Sequence, residues 1–201
     1  MRSQHHALSE SDACWFYGDY ISGEGYQAGR MNQLILNFKK KPTDSNKAGY
    51  EYKAKAISEI QSWFEKLIPK SQSGPINDVI FVPIPGSKAK ADPDHDDRML
   101  RILQCLSPRF VVLDLIETVS SRQANHSVTT GRLNTDELFA TLRIVPQMPS
   151  FEMPPNADIV LVDDVLTTGA SFSACKRKLV ERWPHVRVVG IFIARTIHRV
   201  L

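Results

Sequence analysis

The chain has 201 residues, 42% of them hydrophobic and 23% charged, with a formal net charge of +3. That is the length of one domain, and the composition excludes disordered, collagen-like and coiled-coil classes. The apolar runs fall far short of the roughly 20 residues a bilayer span needs, and no apolar stretch follows Met1-Arg2-Ser3-Gln4-His5-His6, so a cytoplasmic protein without membrane contact is expected.

Residues 14–41 mix aromatic residues and glycine with the apolar segment Leu34-Ile35-Leu36, and 42–50 read as a loop. Ala56/Ile57, Ile60, Trp63/Phe64 and Leu67/Ile68 recur at helical spacing over 51–68. Val79-Ile80-Phe81-Val82 is a buried-strand pattern that stops at Pro83-Ile84-Pro85-Gly86, where prolines remove ladder donors. Acidic residues from Asp92 to Asp97 precede Met99, Ile102/Leu103 and Leu106, which predicts a helix over 94–106. Phe110-Val111-Val112-Leu113 is a second strand pattern. Residues 117–136 are polar and without periodicity, which predicts a long exposed loop serving as a lid. A strand is predicted over 138–145 and a connector over 146–155.

Ile159-Val160-Leu161-Val162 is the clearest buried strand. Ser171 to Trp183 forms an amphipathic helix with Phe172, Cys175, Leu179/Val180 and Trp183 on one face, and Val186 to Ala194 a final strand. Strands alternating with helices predict a single α/β domain over 1–201, with a parallel sheet flanked by helices.

Two short basic runs, Lys39-Lys40-Lys41 and Lys176-Arg177-Lys178, read as solvated faces. Cys14, Cys105 and Cys175 are widely spaced and form no C-x-x-C pair. Neither a disulfide framework nor a zinc site is expected.

The chemistry concentrates at Asp163-Asp164-Val165-Leu166-Thr167-Thr168-Gly169-Ala170-Ser171. A buried strand delivers two carboxylates at its carboxyl end, the edge where open α/β sheets bind ligands. A loop of hydroxyls and glycine follows, and then a helix begins. Backbone N–H groups, the Thr167, Thr168 and Ser171 hydroxyls and the helix's positive end make an anion cradle suited to phosphate. Asp163 and Asp164 suit vicinal hydroxyls, or a divalent cation met through water. A phosphate with a diol nearby describes a ribose 5-phosphate unit. A receiver domain also ends a strand in paired aspartates but needs most of its length after them, and 37 residues follow Asp164. A Walker B strand requires a G-x-x-x-x-G-K-[ST] loop, which the chain lacks.

This segment resembles the phosphoribosyl-diphosphate (PRPP) loop of type I phosphoribosyltransferases. The resemblance implies that Asp163 and Asp164 hold the ribose hydroxyls, and that Thr167, Thr168, Gly169, Ala170 and Ser171 hold the 5-phosphate. Over roughly residues 12–195 the chain is most similar to the ComF-like branch. The carriers are Val82-Pro83-Ile84-Pro85, the polar stretch with Arg122, Gln123 and Arg132, and its short spacing to the loop. The four-cysteine zinc module of many ComF-like proteins is missing. So is the Arg-Gly-Phe-Asn motif after Val-Pro-x-Pro, with only Arg98 of Asp97-Arg98-Met99-Leu100 matching.

The resemblance implies a Mg²⁺-dependent phosphoribosyltransferase with a core over 76–195, a lid from Ser120 to Arg132 and an N-terminal hood over 1–50. Gly86-Ser87-Lys88 is the expected pyrophosphate turn, with Ser87 and Lys88 as contacts and Lys90 as a weaker candidate. Arg122 and Arg132 are the expected catalytic lid residues, and His126 a candidate proton carrier. Trp15-Phe16-Tyr17 and Tyr26 are hood candidates against an acceptor base. Alternatives are a non-catalytic PRPP- or nucleotide-binding regulator and a protein binding single-stranded DNA. Homodimerisation is left open.

Overall fold

The structure is a computed structural model that describes residues 4–66, 76–122, 133–145 and 152–198. In chain order its strands are β1 (Cys14–Ile21), β2 (Ile76–Pro83), β3 (Phe110–Val112), β4 (Ile116–Thr118), β5 (Leu142–Ile144), β6 (Asp158–Leu166) and β7 (Arg187–Ile197). Its helices are α1 (Arg30–Phe38), α2 (Tyr52–Glu65), α3 (Arg98–Leu103), α4 (Thr135–Ala140) and α5 (Ala170–Arg182).

The main sheet has the order β1-β7-β6-β2-β3, and every pairing in it is parallel. β4 and β5 form a separate antiparallel pair. The α/β architecture with a parallel sheet flanked by helices is therefore as expected. No helix among the described residues is long and apolar enough to cross a membrane.

The central strands are apolar at nearly every position because both of their faces are covered. Ile80, Val82, Ile159 and Leu161 pack with Phe172, Cys175 and Leu179 of α5 and with Leu138 and Leu142. Their neighbours Phe81, Val160 and Val162 enter the opposite core, with Leu34, Ile35, Phe38, Ile60, Phe64 and Ile102 of α1, α2 and α3. The period of two in a strand sorts these side chains between the layers.

The segment expected as an N-terminal hood supplies part of the fold: β1 pairs with β7 along the sheet edge, and α1 buries Leu34, Ile35 and Phe38. Two expectations need correction. The helix expected over 94–106 begins only at Arg98 and passes into a 3₁₀ turn at Gln104–Leu106. The acids before it bond locally and outward, as where Asp92 Oδ1 accepts from Asp94 N–H at 2.9 Å and Asp96 Oδ1 from Arg98 N–H at 3.1 Å. Asx bonds of this kind compete with helix.

Where described, the loop expected over 117–136 is irregular at 119–122 and 133–134 but is entered by β4 and the start of α4, and the strand expected over 138–145 is present only at 142–144 as β5, α4 taking the residues up to 140. Asn134 and Glu137 make a capping box: Asn134 Oδ1 accepts from Glu137 N–H at 2.9 Å, and Glu137 Oε2 from Asn134 N–H at 2.8 Å. That box starts a helix where the apolar residues alone suggested a strand. Gln123, His126 and Arg132, with most of the expected lid, lie outside the described residues.

Candidate functional site

From β2 the chain moves to β3 on one side, and β6 and β7 are then laid down on the other. The carboxyl ends of β2 and β6 thus flank the point where strand order reverses, the place where such sheets leave a crevice. A cleft of about 370 Å³ opens there. Pro83, Gly86, Ser87 and Lys88 line it from β2 and its turn, and Asp163, Asp164, Thr167, Thr168, Ala170 and Ser171 from β6, its loop and α5. Arg122 is also at its wall. Apart from Gly169, the residues expected from both segments therefore line one cleft.

β6 extends beyond its apolar run and carries both aspartates within the strand. Strand alternation sends them to different sides of the sheet. Asp164 turns to the layer of α1 and α3, where Lys39 Nζ lies 3.0 Å from Oδ1 and Arg98 Nη2 lies 2.8 Å from Oδ2. Burial opposes ionisation of Asp164, but these two cations outweigh it and hold its carboxyl below the usual range. Asp163 stands on the side of Arg122 and Cys175. Burial, and then the neighbouring Asp164 charge, pushes its carboxyl up. Its Oδ1 accepts from Asp164 N–H at 2.7 Å.

The cations at Asp164 are held from behind. Lys53, buried on α2, donates to the carbonyls of Phe38 at 3.1 Å and Lys40 at 2.5 Å, on either side of Lys39. It also pairs with Asp96 at 2.5 Å, and Asp96 Oδ2 accepts from Arg98 Nη1 at 2.9 Å. One buried ammonium thus fixes Lys39 through its backbone and Arg98 through a carboxylate. Sequence reasoning missed Lys39, Lys53 and Asp96 as site residues, and had Arg98 only as a motif remnant. The available signal was the basic run itself, whose members part company: Lys39 takes Asp164, Lys40 the carbonyl of Gly49, and Lys41 Asp94 at 3.0 Å.

On the facing wall, Arg122 N–H donates to Ser87 O at 2.9 Å and Ala89 N–H to Ser121 Oγ at 3.1 Å, so the start of the polar stretch is tied to the 86–89 turn. Arg122 Nε is buried without a hydrogen-bond partner, and burial pushes its guanidinium down. Lys88 pairs with Asp92 at 3.3 Å, and Lys90 with Asp114 at 2.8 Å. Gly169 has φ of 90° and opens α5, a conformation that favours glycine. Thr168 Oγ1 accepts from Ala170 N–H at 3.3 Å.

The aromatic candidates lie elsewhere. Trp15, Tyr17 and Tyr26 are exposed, Tyr17 packs against Trp63 at 5.2 Å between ring centres, and Phe16 stacks with Arg195 at 4.4 Å. None of these aromatics lines the cleft, because β1 occupies the far edge of the sheet.

For Mg²⁺ the donor set fits a water-mediated contact. Asp163 keeps one carboxylate oxygen free of the bond to Asp164, whereas both Asp164 oxygens are engaged. Among the described residues no group of three or more His, Cys, Asp or Glu side chains is placed to hold a metal ion. A cation carried mainly on ligand phosphates suits such a site. No protein-family model and no curated protein matches the chain.

Proposed function

We propose that the cleft binds PRPP and transfers its phosphoribosyl group to an acceptor, in the manner of a type I phosphoribosyltransferase. The observation that carries this reading is the meeting of segment 163–171 with turn 86–88 at the point of strand reversal. The loop from Thr167 to Ser171 takes the 5-phosphate, with hydroxyls and the start of α5 as donors. Asp163 and Asp164 accept from the ribose hydroxyls. Lys88, Arg122 and the Lys39/Arg98 pair provide positive charge for the pyrophosphate end.

The C1–O bond to pyrophosphate breaks while a ring nitrogen of the acceptor, of nucleobase type, bonds to C1 and loses its proton to water. The electron pair leaves with pyrophosphate, through an oxocarbenium-like state of the kind seen in glycosyl transfer. Mg²⁺, when bound, neutralises charge on the leaving pyrophosphate. Asp163 would hold it through water, and Arg122 balances the same charge from the opposite wall.

Calorimetry with PRPP and Mg²⁺, beside a pyrophosphate-release assay over a panel of bases, tests the proposal. Binding is expected in the parent and a loss of at least about tenfold in Thr168→Val/Ser171→Ala, since each lost phosphate bond leaves charge unpaired. Parent protein that does not bind PRPP would sink the reading. Binding without pyrophosphate release from any base would leave the non-catalytic reading in its place. The single-strand DNA alternative draws less support: Lys176 pairs with Asp12 at 2.5 Å, Arg177 with Asp136 at 2.9 Å, and Lys178 covers the Phe139 ring at 3.7 Å, so that basic run is engaged internally.

A further inference from the structure

The loop that would take the phosphate is gripped from outside by the chain's own N-terminal arm. Ala7 N–H donates to the Thr168 carbonyl at 3.0 Å. His5 Nδ1 reaches the Thr167 carbonyl, and since a carbonyl only accepts, Nδ1 carries the proton. Ser173 Oγ, in the first turn of α5, donates back to the Ala7 carbonyl at 2.6 Å. The Leu8 side chain lies where a Cβ on Gly169 would stand, its Cδ2 and Cγ both 2.6 Å from that position. Further along the arm, the covered side chain of Asp12 pairs with Lys176 of α5 at 2.5 Å and accepts from Ser9 N–H at 2.7 Å.

These contacts share one geometric consequence. In a trans peptide the carbonyl and the N–H of the next residue point in opposite directions. Holding the carbonyls of Thr167 and Thr168 toward the arm turns the N–H groups of Thr168 and Gly169 away from it. Thr167 and Thr168 line the cleft and residues 5–8 do not, so the side turned from the arm is the one left to the cleft. An array of N–H groups binds an anion only when the groups converge, and short loops with glycine have other conformations to visit. The arm removes that freedom by occupying the outward-facing acceptors.

We propose that residues 5–8 are a strap that sets the anion loop, with His5 and Ala7 as positioning residues that act on the phosphate through the loop's peptide planes. The inference rests on the reading of 167–171 as a phosphate loop. It adds that the loop's affinity is set by a segment more than 150 residues away, since His5 and Thr167 stand 162 positions apart.

The test uses the full chain and ribose 5-phosphate, followed by calorimetry and by the amide signals of Thr168 and Gly169. His5→Ala and Ala7→Pro, each of which deletes one donor to the loop, are expected to weaken binding about tenfold. Both should displace the two amide signals before ligand is added, and His5→Ala should do so with the urea midpoint held near the parent's, because His5, unlike Ala7, packs against neither core. His5→Asn is expected to return binding to within about threefold, since its Nδ2–H stands the same number of bonds from Cα and donates to the same acceptor. Parent-like affinity and amide signals in both His5→Ala and Ala7→Pro overturn the strap. So does His5→Asn binding as weakly as His5→Ala. A parent that fails to bind ribose 5-phosphate overturns the phosphate-loop reading instead, so the two failures are distinct.

Discussion

Lys53 is a charged residue only 3% exposed, and three oxygen acceptors compensate its burial: two carbonyls and the Asp96 carboxylate. A buried pair of this kind adds little net stability over an apolar pair, but breaking it strands a charge. Burial opposes ionisation of Asp96 as well, and Arg98 and Lys53 outweigh it, so its carboxyl sits below the ordinary value of 3.8. A carboxyl depressed on folding contributes stability that is present above its unfolded value and lost as pH falls through its folded one. Urea midpoints measured between about pH 5 and pH 3 should therefore fall in the parent and fall less steeply in Asp96→Asn. That variant should also be less stable near neutrality by about 3–5 kcal/mol, the cost of removing one partner of a buried pair. An unchanged acid slope in Asp96→Asn would refute this assignment.

At the level of elements, α4 has only 6 residues, too short to persist on propensity. Its capping box and the buried Leu138 hold it. Asn134→Ala should cost about 1 kcal/mol in chemical denaturation, within the range for lost N-caps. Asn134→Asp should cost far less, because its oxygen accepts in the same place, and equal losses in the two variants would show that the cap is not what matters. The box was readable as Asn-x-x-Glu before an apolar pair, yet Leu138 and Phe139 within a β-branched neighbourhood read as strand. β6, its loop and α5 were legible throughout, since strand, hydroxyl-rich loop and helix lie consecutively and each announces itself locally. β1 was not: it pairs with β7 at the other end of the chain, and its exposed Trp15 and Tyr17 do not read as a sheet strand.

For the whole molecule, the parallel sheet divides two cores, and the site draws on both. Fully buried Phe38 joins the α1–α3 core to the chemistry, for its ring lies under the Arg98 guanidinium at 5.0 Å and its carbonyl takes Lys53. Phe38→Ala should cost about 3–5 kcal/mol of stability, as for other large buried truncations. It should also weaken PRPP binding in whatever protein remains folded, because Lys39 is the next residue. Stability lost with binding intact would separate core from site. The Lys39–Lys53–Asp96–Arg98 cluster escaped the sequence for the same reason that it works. Its members come from α2, the start of α3, the end of α1 and the segment before α3, and only the packed α1–α3 layer brings them to Asp164.

The divergence of the two aspartates has a consequence for how such a site can change. Asp163 and Asp164 are chemically identical neighbours, and only pleat parity gives one of them two cations and leaves the other facing Arg122. One residue inserted between Ile159 and Val162 would preserve the motif letter for letter while reversing which face each carboxylate meets. The division of labour between the pair is thus written in the count of residues before it, and an even-numbered change in that count is the kind the site can absorb.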